Sequence, residues 1–485
     1  MLKKMTKKVS TVLSVFFCLT ALTLGAREKL QPMKGAKVNN VRDFGAVGDG
    51  KTKDTAAIQK AIDAGGMVYF PPGVYLSGTL YLKSNGGLDL APGAILLASP
   101  DKKDYNADDF CVQNAPGLSE HASGAHFIVG LEVENIVICG GGRIDGNRKS
   151  FYGDNREPDC VTAPLPDFGY EKFGKVRDIV WRPGQMIYIC ESRNIQIRDV
   201  QLYNAPYWTC FLHGCEDVQI RGLRILNDQR GHNTDGIDID CCCRVTISDC
   251  IIDSGDDCIT LRGNNWKLKR KRPCEFVTIT NCVLHSCANG IRIGVGDGII
   301  RNVTVSNIVF HHCGTAVMVC SNFSKNPAHG VEISNVSFNN LQIDAMRAFI
   351  INCQMRGSTP EPPAKDVRDI SIRQVRGTIW RPNLICGSAG KGMYDIILED
   401  FVLDIERDLM LSSNNHRGPY GEYSASPECV VYISHADGVR MERFKVRWKN
   451  KVSGWTYGVL TYNSKNIEKN SVSLGRPDLD EPGSL

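Results

Sequence analysis

Val245-Thr246-Ile247-Ser248-Asp249-Cys250-Ile251-Ile252 contains the phrase that decides the fold, an apolar–polar–apolar triplet followed by a second short apolar run. Alternation with a period of two residues is typical of a half-buried β-strand. Together with Val245-Thr246-Ile247, the triplet occurs at Ile195-Gln196-Ile197, Val218-Gln219-Ile220, Val277-Thr278-Ile279, Val303-Thr304-Val305 and Val331-Glu332-Ile333. From Ile195 through Val245 to Val331, the successive spacings are 23, 27, 32, 26 and 28 residues. Repeats of this length, each with three short strands, predict an all-β fold, a right-handed parallel β-helix whose stacked rungs bury a continuous core.

The residue before the second strand of a repeat supports this interpretation. It is Asp249, Asn281, Asn307 or Asn335 in four of the repeats. Asparagine and aspartate tolerate the left-handed backbone that a tight bend requires. The alternative, an antiparallel sandwich, would show hairpin signals about every 8–12 residues, and none recur in the sequence.

The segment before the repeats predicts a short N-terminal cap. Residues 54–62 read as an amphipathic helix, capped by Asp54 or Thr52, that follows a glycine-rich turn. We assign 1–26 to a signal peptide and 27–485 to a single β-helix domain, with a cap over about 38–75, rungs over about 76–465 and a tail over 466–485. Irregular inserts near 101–125, 147–185, 354–366 and 408–427 predict loops on one face of the solenoid.

The first residues predict an export signal. Four lysines precede an apolar run from about Val12 to Leu24, which ends in Gly25-Ala26. A basic start, a short apolar core and small residues at the end are typical of a signal peptide, and the run is too short to favour a spanning helix. Val15-Phe16-Phe17 lacks the small residues that a lipid anchor at Cys18 needs. We therefore expect cleavage near Ala26 and a periplasmic or secreted protein without a transmembrane segment.

The charge balance argues against one class of partner. Removal of residues 1–26 takes away four lysines and no acidic residue, so the formal net charge falls from +4 to zero. A neutral chain lacks the basic face that nucleic-acid binding requires, so we expect no nucleic-acid partner. The basic run 267–272 is local, and it is either a solvated loop or a rim that attracts an acidic polysaccharide.

The 20 cysteines of an exported protein suggest disulfides, but 19 remain after residue 26, an odd number without a short-period framework. Cys241-Cys242-Cys243 cannot all face the core, because side chains alternate along a strand. Cys250, Cys282 and Cys353 lie beside apolar residues. We expect most cysteines to be small buried apolar side chains. A zinc site is the alternative, but no paired Cys-x-x-Cys spacing supports it, and we expect no metal.

Two acidic clusters about one rung apart carry the predicted chemistry. They are Asn233-Thr234-Asp235-Gly236-Ile237-Asp238 and Gly255-Asp256-Asp257-Cys258. At this spacing Asp235, Asp256 and Asp257 converge on one surface. Neighbouring carboxylates repel, so one keeps its proton to higher pH and can serve as an acid while another activates water. Hydrolysis of a glycosidic bond requires these two roles. The alternative is that the aspartates cap turns or bind calcium.

These motifs closely resemble those of glycoside hydrolase family 28, the polygalacturonase family within the pectin-lyase-like β-helix fold. The resemblance covers roughly residues 38–465, and its further motifs are Phe44-Gly45-Ala46-Val47-Gly48-Asp49-Gly50, Arg143-Ile144-Asp145-Gly146 and Asn204-Ala205-Pro206-Tyr207-Trp208. It implies that Asp256 protonates the departing glycosidic oxygen, and that Asp235 and Asp257 hold and activate the attacking water. It also implies inversion at the anomeric carbon and a pectic substrate of galacturonan or rhamnogalacturonan type, with no cofactor.

Two departures from the family pattern concern substrate recognition. The family usually carries Gly-His-Gly one rung later and Arg-Ile-Lys on the next, where this chain has Ala288-Asn289-Gly290 and Met318-Val319-Cys320. The usual clamp for the sugar carboxylate is therefore missing. Arg262 and Arg292 are the candidate replacement cations, since a planar guanidinium suits a carboxylate. The other candidate substrate contacts are Asn233, Asp238, His232, Asn289 and Trp208.

The leading functional hypothesis is thus an exported glycosidase that degrades pectin, and long loops around the cleft favour attack on chain ends. A polysaccharide lyase on the same fold is one alternative, which would use calcium and a basic residue at the reacting carbon. A non-catalytic β-helix that binds carbohydrate is the other, and it would not need the carboxylate cluster.

Overall fold

The computed structural model describes residues 37–152, 179, 181–229, 231, 233–322, 330–354, 365–388, 392–409 and 428–476. From Val38 onward, the described chain consists mainly of strands that pair in parallel. Its only α-helix within those ranges is α1, Thr55–Asp63. The predicted signal peptide lies outside the described residues, so it stays a prediction.

The strands in chain order are β1 (Val38–Asn40), β2 (Asp49–Lys53), β3 (Met67–Phe70), β4 (Gly73–Ser77), β5 (Leu80–Tyr81), β6 (Gly86–Leu90), β7 (Ala94–Ala98), β8 (Ile128–Leu131), β9 (Glu134–Cys139), β10 (Arg143–Asp145), β11 (Ile187–Cys190), β12 (Arg193–Arg198), β13 (Gln201–Tyr203), β14 (Cys210–His213), β15 (Glu216–Arg221), β16 (Arg224–Leu226), β17 (Ile237–Asp240), β18 (Cys243–Ser248), β19 (Ile251–Ser254), β20 (Ile259–Gly263), β21 (Cys274–Ser286), β22 (Asn289–Gly296), β23 (Ile299–Asn322), β24 (Glu332–Gln354), β25 (Val367–Thr378), β26 (Asn383–Cys386), β27 (Met393–Ile405), β28 (Cys429–Ser434), β29 (Asp437–Trp448), β30 (Tyr457–Tyr462) and β31 (Lys465–Asn470).

The pairings sort these strands into three stacks. One stack, here called the site sheet, runs β5, β8, β11, β14, β17, β20, β22, the later parts of β23 and β24, then β26, β28 and β30. The second begins at β1 and ends at β31, and the third begins at β2. Long strands such as β23 bend from one stack into the next. Three strands per turn give the right-handed parallel β-helix that the repeats predict.

The register confirms most of the repeat and corrects one copy of it. Val218, Val245, Val277 and Val303 pair in one continuous row. The row continues to Val336, not to Val331. Val331-Glu332-Ile333, five residues before Val336, was the wrong phrase, because β24 begins at Glu332 and its first residues carry the same apolar alternation.

Asparagines occupy the predicted bends. Asn281 and Asn307 have φ of 56° and 57°, in the left-handed region. The corrected register moves the next member to Asn340, which donates to Asn307 Oδ1 at 2.8 Å. Side-chain amides thus join neighbouring rungs and stabilise the bends.

The cap contains the predicted helix, but its capping residue has a different role. Asp54 occupies the N-cap position of α1 without a side-chain capping hydrogen bond. Its carboxylate instead accepts from the backbone amides of Val47 at 2.7 Å and Gly48 at 3.0 Å. Asp54 therefore fastens the glycine-rich turn to the start of the helix.

The core is a continuous stack of aliphatic residues with cysteines among them. All 18 cysteines in the described ranges are free thiols, and most are buried, as predicted. Cys242 faces the core, whereas Cys241 packs in an apolar cluster on the outer face of the site sheet. The last strand ends at Asn470, so the rungs extend slightly beyond the predicted limit of about 465.

Candidate active site

The aspartates of the two clusters lie at the bends that lead into neighbouring strands of the site sheet. Asp235 is two residues before β17, and Asp257 is two residues before β20. The amide of Gly236 donates to the carbonyl oxygen of Asp257 at 2.9 Å, which puts the two aspartates side by side. Adjacent strands are about 4.8 Å apart. The structure therefore brings Asp235, Asp256 and Asp257 together, as the spacing predicts.

Asp235 is enclosed by protein, with 2% of its surface exposed. Its Oδ2 lies 3.5 Å from Nη2 of Arg262, and its buried Oδ1 has no hydrogen-bond partner among the described residues. Burial raises the pKa of Asp235 well above its usual range, three neighbouring aspartates raise it further, and Arg262 acts in the opposite direction. Asp235 therefore keeps its proton at pH values at which an exposed aspartate has lost it.

Asp238 points outward from β17 into the same site. Its Oδ1 accepts from Thr260 Oγ1 at 2.5 Å and from Arg262 Nε at 3.1 Å. Burial raises the pKa of Asp238 to about 6, against the effect of Arg262. Asp240, two residues on, accepts from the Asn264 amide at 2.7 Å and so fastens the loop after β20.

Asp257 is fully buried and is held from the next strand. Asn289 Nδ2 donates to its Oδ1 at 2.5 Å, and Arg292 Nη1 lies 2.7 Å from its Oδ2. A charge-assisted hydrogen bond and an ion pair both favour the ionised carboxylate. Asp257 thus has closer polar partners than Asp235, although the two occupy equivalent positions on adjacent strands.

Asp256 precedes Asp257 at the same bend and is 6% exposed, the most exposed of the three aspartates. Its carbonyl oxygen accepts from Ser254 Oγ at 2.7 Å and also from the hydroxyl of Ser286. Two hydroxyls thus fix the backbone that carries the Asp256 side chain.

The two predicted substrate cations are engaged with carboxylates. Arg262 pairs with Asp235 and Asp238, and Arg292 pairs with Asp257. Arg292 is buried, with 9% of its surface exposed. Recognition of the substrate by these arginines stays a prediction, and their observed charge partners are the aspartates.

Trp208 lies two residues before β14 and contacts Arg262. The guanidinium carbon of Arg262 lies 4.0 Å from the centroid of the Trp208 ring, and Tyr207 stacks on that ring at 5.1 Å. Trp208 is half-buried. Its position therefore fits a support for Arg262, and it leaves part of the ring exposed.

A further arginine of this region has no signal in the sequence motifs. Arg182 is fully buried and donates to Tyr152 Oη at 2.9 Å and to the Pro206 carbonyl at 3.0 Å. Its Nη2 lies 3.4 Å from Oδ1 of Asn233, one of the predicted contacts. Arg182 lies in an irregular insert, where no periodicity identifies it. His232 is outside the described residues.

The described residues contain one group that brings potential metal ligands together. His311, His312 and Asp344 have ligand atoms within 4.8 Å of one another. The two histidines lie at a register irregularity of the strand, between Phe310 and Cys313. The group is largely exposed and is separate from the predicted chemistry.

The basic run 267–272 packs against acidic neighbours. Arg272 Nη1 lies 2.6 Å from Glu216 Oε1, and Lys269 pairs with Glu132. Leu268, next to Lys269 in the sequence, is buried in the outer apolar cluster. This arrangement agrees with a local loop. No helix in the described part of the chain is long and apolar enough to cross a bilayer.

Comparison with known proteins identifies the family. The protein-family model described as "Glycosyl hydrolases family 28" matches residues 97–408 of the sequence. A second family model, described as "Rhamnogalacturonase A/epimerase, pectate lyase-like", matches residues 38–86. A probable polygalacturonase of Vitis vinifera is 32% identical over 242 residues, which are 46% of this chain and 44% of the relative. An exo-poly-alpha-D-galacturonosidase of Dickeya chrysanthemi is 26% identical over 362 residues, which are 68% and 60%. The chain thus spans less than two thirds of either relative.

Solved structures share the fold. The family 28 exopolygalacturonase of Yersinia enterocolitica superposes with a TM-score of 0.67 at 21% identity, over 89% of this chain and 79% of that one. The exopolygalacturonase of Thermotoga maritima gives 0.56 at 22% identity, over 91% and 93%. The family match covers more than half of the sequence and includes both acidic clusters, and we conclude that this chain belongs to glycosyl hydrolases family 28.

Proposed function

We propose that this protein is an exported glycosidase that hydrolyses a pectic polysaccharide of galacturonan or rhamnogalacturonan type. The observation that carries the proposal is the contrast between Asp235, whose pKa burial raises well above its usual range, and Asp257, which Arg292 and Asn289 contact, beside Asp256. One cluster thereby supplies both an acid and a base. Membership of family 28 supports hydrolysis, and the names of the relatives support galacturonan as the substrate class.

In the proposed reaction Asp256 is the general acid. Its proton passes to the glycosidic oxygen as the bond from that oxygen to the anomeric carbon breaks. Asp235 and Asp257 hold a water molecule whose oxygen forms the new bond on the opposite face of the sugar, and the water's proton passes to a carboxylate. The product has the inverted configuration.

The electrostatics of the cluster supports this division of roles. Carboxyl groups this close titrate as one system, so a proton is shared among them. In the free protein burial favours a proton on Asp235. Passage of that proton to Asp256 would make Asp256 an acid and Asp235 a base in one step. Asp257 would keep Arg292 as its ion-pair partner throughout.

The test is hydrolysis of defined oligogalacturonides and rhamnogalacturonan oligosaccharides by wild type, Asp235→Asn, Asp256→Asn and Asp257→Asn. We expect loss of activity in each variant and retention of the fold. Asp249→Asn is the matched control, since Asp249 is a left-handed bend residue outside the cluster. Undiminished hydrolysis by Asp256→Asn would overturn the assigned acid, and NMR of the first-formed anomer checks inversion.

The same assay separates the alternatives. A lyase would release an unsaturated product that absorbs in the ultraviolet and would lose activity with a calcium chelator. A non-catalytic protein would bind the oligosaccharides without cleaving them.

We also propose export and attack on chain ends. The basic and apolar start of the chain supports a signal peptide, residues 1–26, and the exo-acting relatives support terminal attack. N-terminal sequencing of the protein expressed from the full chain tests the first proposal. The length distribution of early products tests the second, because terminal attack releases one short product without intermediate lengths.

A further inference from the structure

The bends before the strands of the site sheet form one row across successive rungs. Asp257 contacts Asn289 in this row, Asn289 pairs with Thr315, and Thr315 pairs with Arg347. Each lies two residues before a buried apolar residue of its strand, which is Ile259, Ile291, Val317 or Phe349. Arg347 therefore occupies, three rungs away, the position that Asp257 occupies in the cluster.

Arg347 is a buried cation without a carboxylate partner among the described residues. It is 5% exposed, and its Nε donates to the Pro382 carbonyl at 2.9 Å. The nearby charge is that of another arginine, Arg381. Burial and then Arg381 lower the pKa of Arg347 to about 9, because both disfavour the charged form. The guanidinium is still charged at neutral pH.

A buried guanidinium lowers the stability of the fold unless an anion lies beside it. A buried charge without an opposite charge loses its hydration and gains no ion pair. Arg347 is not fully enclosed, since 5% of its surface is exposed, and it lies in the row of bends that starts at Asp257. Arg262 and Arg292, by contrast, already have aspartate partners.

We propose that Arg347 binds a carboxylate of the substrate, a uronate sugar held beyond the aspartate cluster on the C-terminal side. This inference rests on the proposed function and narrows its substrate to a chain with a free uronic acid at that position. Three strand spacings of about 4.8 Å separate the rows of Asp257 and Arg347, roughly 14 Å in total. Arg347 is therefore a substrate-binding residue that contacts a sugar away from the cleaved bond. A planar guanidinium can bind both carboxylate oxygens, which a lysine ammonium cannot do in the same geometry.

The experiment compares Arg347→Met and Arg347→Lys with a matched control, Arg440→Met. Arg440 is an exposed arginine on β29, so its replacement makes the same change of charge away from the site. Binding is measured by calorimetry in the Asp256→Asn background with oligogalacturonides as free acids and as methyl esters. Hydrolysis of the same pairs is measured with Asp256 intact, together with the melting temperature of each variant.

We expect Arg347→Met to weaken binding of the free acid by about 10- to 100-fold. Binding of the methyl ester should not change, and Arg347→Lys should retain part of the preference. The melting temperature of Arg347→Met should rise, since an uncompensated buried charge is removed. A purely structural arginine would instead lower the melting temperature and weaken both ligands equally.

An Arg347→Met variant that discriminates acid from ester as wild type does would overturn this inference and leave the proposed function intact. Wild type that cleaves none of these substrates would overturn the proposed function. In that case loss of free-acid binding in Arg347→Met still supports the carboxylate site, and unchanged binding contradicts it.

Discussion

Asn289 donates its side-chain amide to Oδ1 of Asp257 at 2.5 Å, from the strand next to the one that Asp257 precedes. Family members usually have a histidine at this point in the sequence. The amide cannot change its charge, so in this chain the contact is a fixed donor. It orients Asp257 through a charge-assisted hydrogen bond to one of the carboxylate oxygens.

The first prediction follows from this contact. Asn289→Ala should lower kcat/KM by roughly 10- to 100-fold, the effect of removing a hydrogen bond to a buried charge. The loss should appear mainly in kcat if Asp257 positions the water. Steady-state kinetics on oligogalacturonides checks this, with Asn281→Ala, an exposed bend residue, as the control. Equal kinetics in the two variants would contradict the role of Asn289.

A second prediction concerns the ion pair between Arg292 and Asp257. Arg292→Met leaves Asp257 buried without its cation, and this should lower the free energy of unfolding by about 3–5 kcal/mol. Denaturant titration measures the change. Addition of Asp257→Asn should restore part of it, because the uncompensated charge is then removed. Arg443→Met, which breaks an exposed ion-pair network, should lower the free energy of unfolding far less than Arg292→Met does. An Arg292→Met variant as stable as wild type would contradict the prediction.

Replacement of Arg292 by methionine is expected to lower the stability of the fold, whereas replacement of Arg347 is expected to raise it. This difference illustrates what the sequence could predict and what it could not. Repeat spacing and left-handed bend residues were enough to predict the β-helix, and the two acidic clusters were enough to predict a shared site. The partner of each arginine depends on which residues, 24 to 35 positions away in the sequence, lie beside it, and a shift in the strand register changes that answer. The misplaced phrase at Val331 is an error of this kind.

The inserts were the other part that could not be predicted. Arg182 reaches Asn233 from a segment without periodicity, so its position depends on tertiary packing. Arg347 has no motif of its own. Its significance appears only when the row that starts at the aspartates is followed across the rungs.

A third prediction concerns pH. The pKa of Asp235 is well above its usual 3.8 in the folded protein, and the pKa of Asp238 is about 6. As the pH rises above about 4, the unfolded chain releases these protons first, so the folded state binds more protons. The free energy of unfolding should therefore fall with rising pH until the folded pKa values are passed. Asp235→Asn should make this decline shallower and should be more stable than wild type at pH 7.

Melting temperatures between pH 4 and pH 7 check this sign. Asp249→Asn is the control, and its profile should run parallel to that of wild type. A wild-type stability that rises across this range, with an unchanged slope in Asp235→Asn, would contradict the raised pKa of Asp235.

The fourth prediction decides what Trp208 does. Its ring lies 4.0 Å from the guanidinium carbon of Arg262, and Arg262 lowers the pKa of Asp235. If Trp208 chiefly holds Arg262, Trp208→Ala removes a cation–π contact of about 1–2 kcal/mol and lets the pKa of Asp235 rise. The pH profile of kcat/KM should then move to higher pH, and Trp208→Phe should restore most of it because a ring face is retained. If Trp208 chiefly stacks on a sugar, KM should rise while the pH profile stays in place. Kinetics of both variants across the pH range separates the two outcomes, and we expect the shifted profile because the contact with Arg262 is present in the protein without substrate.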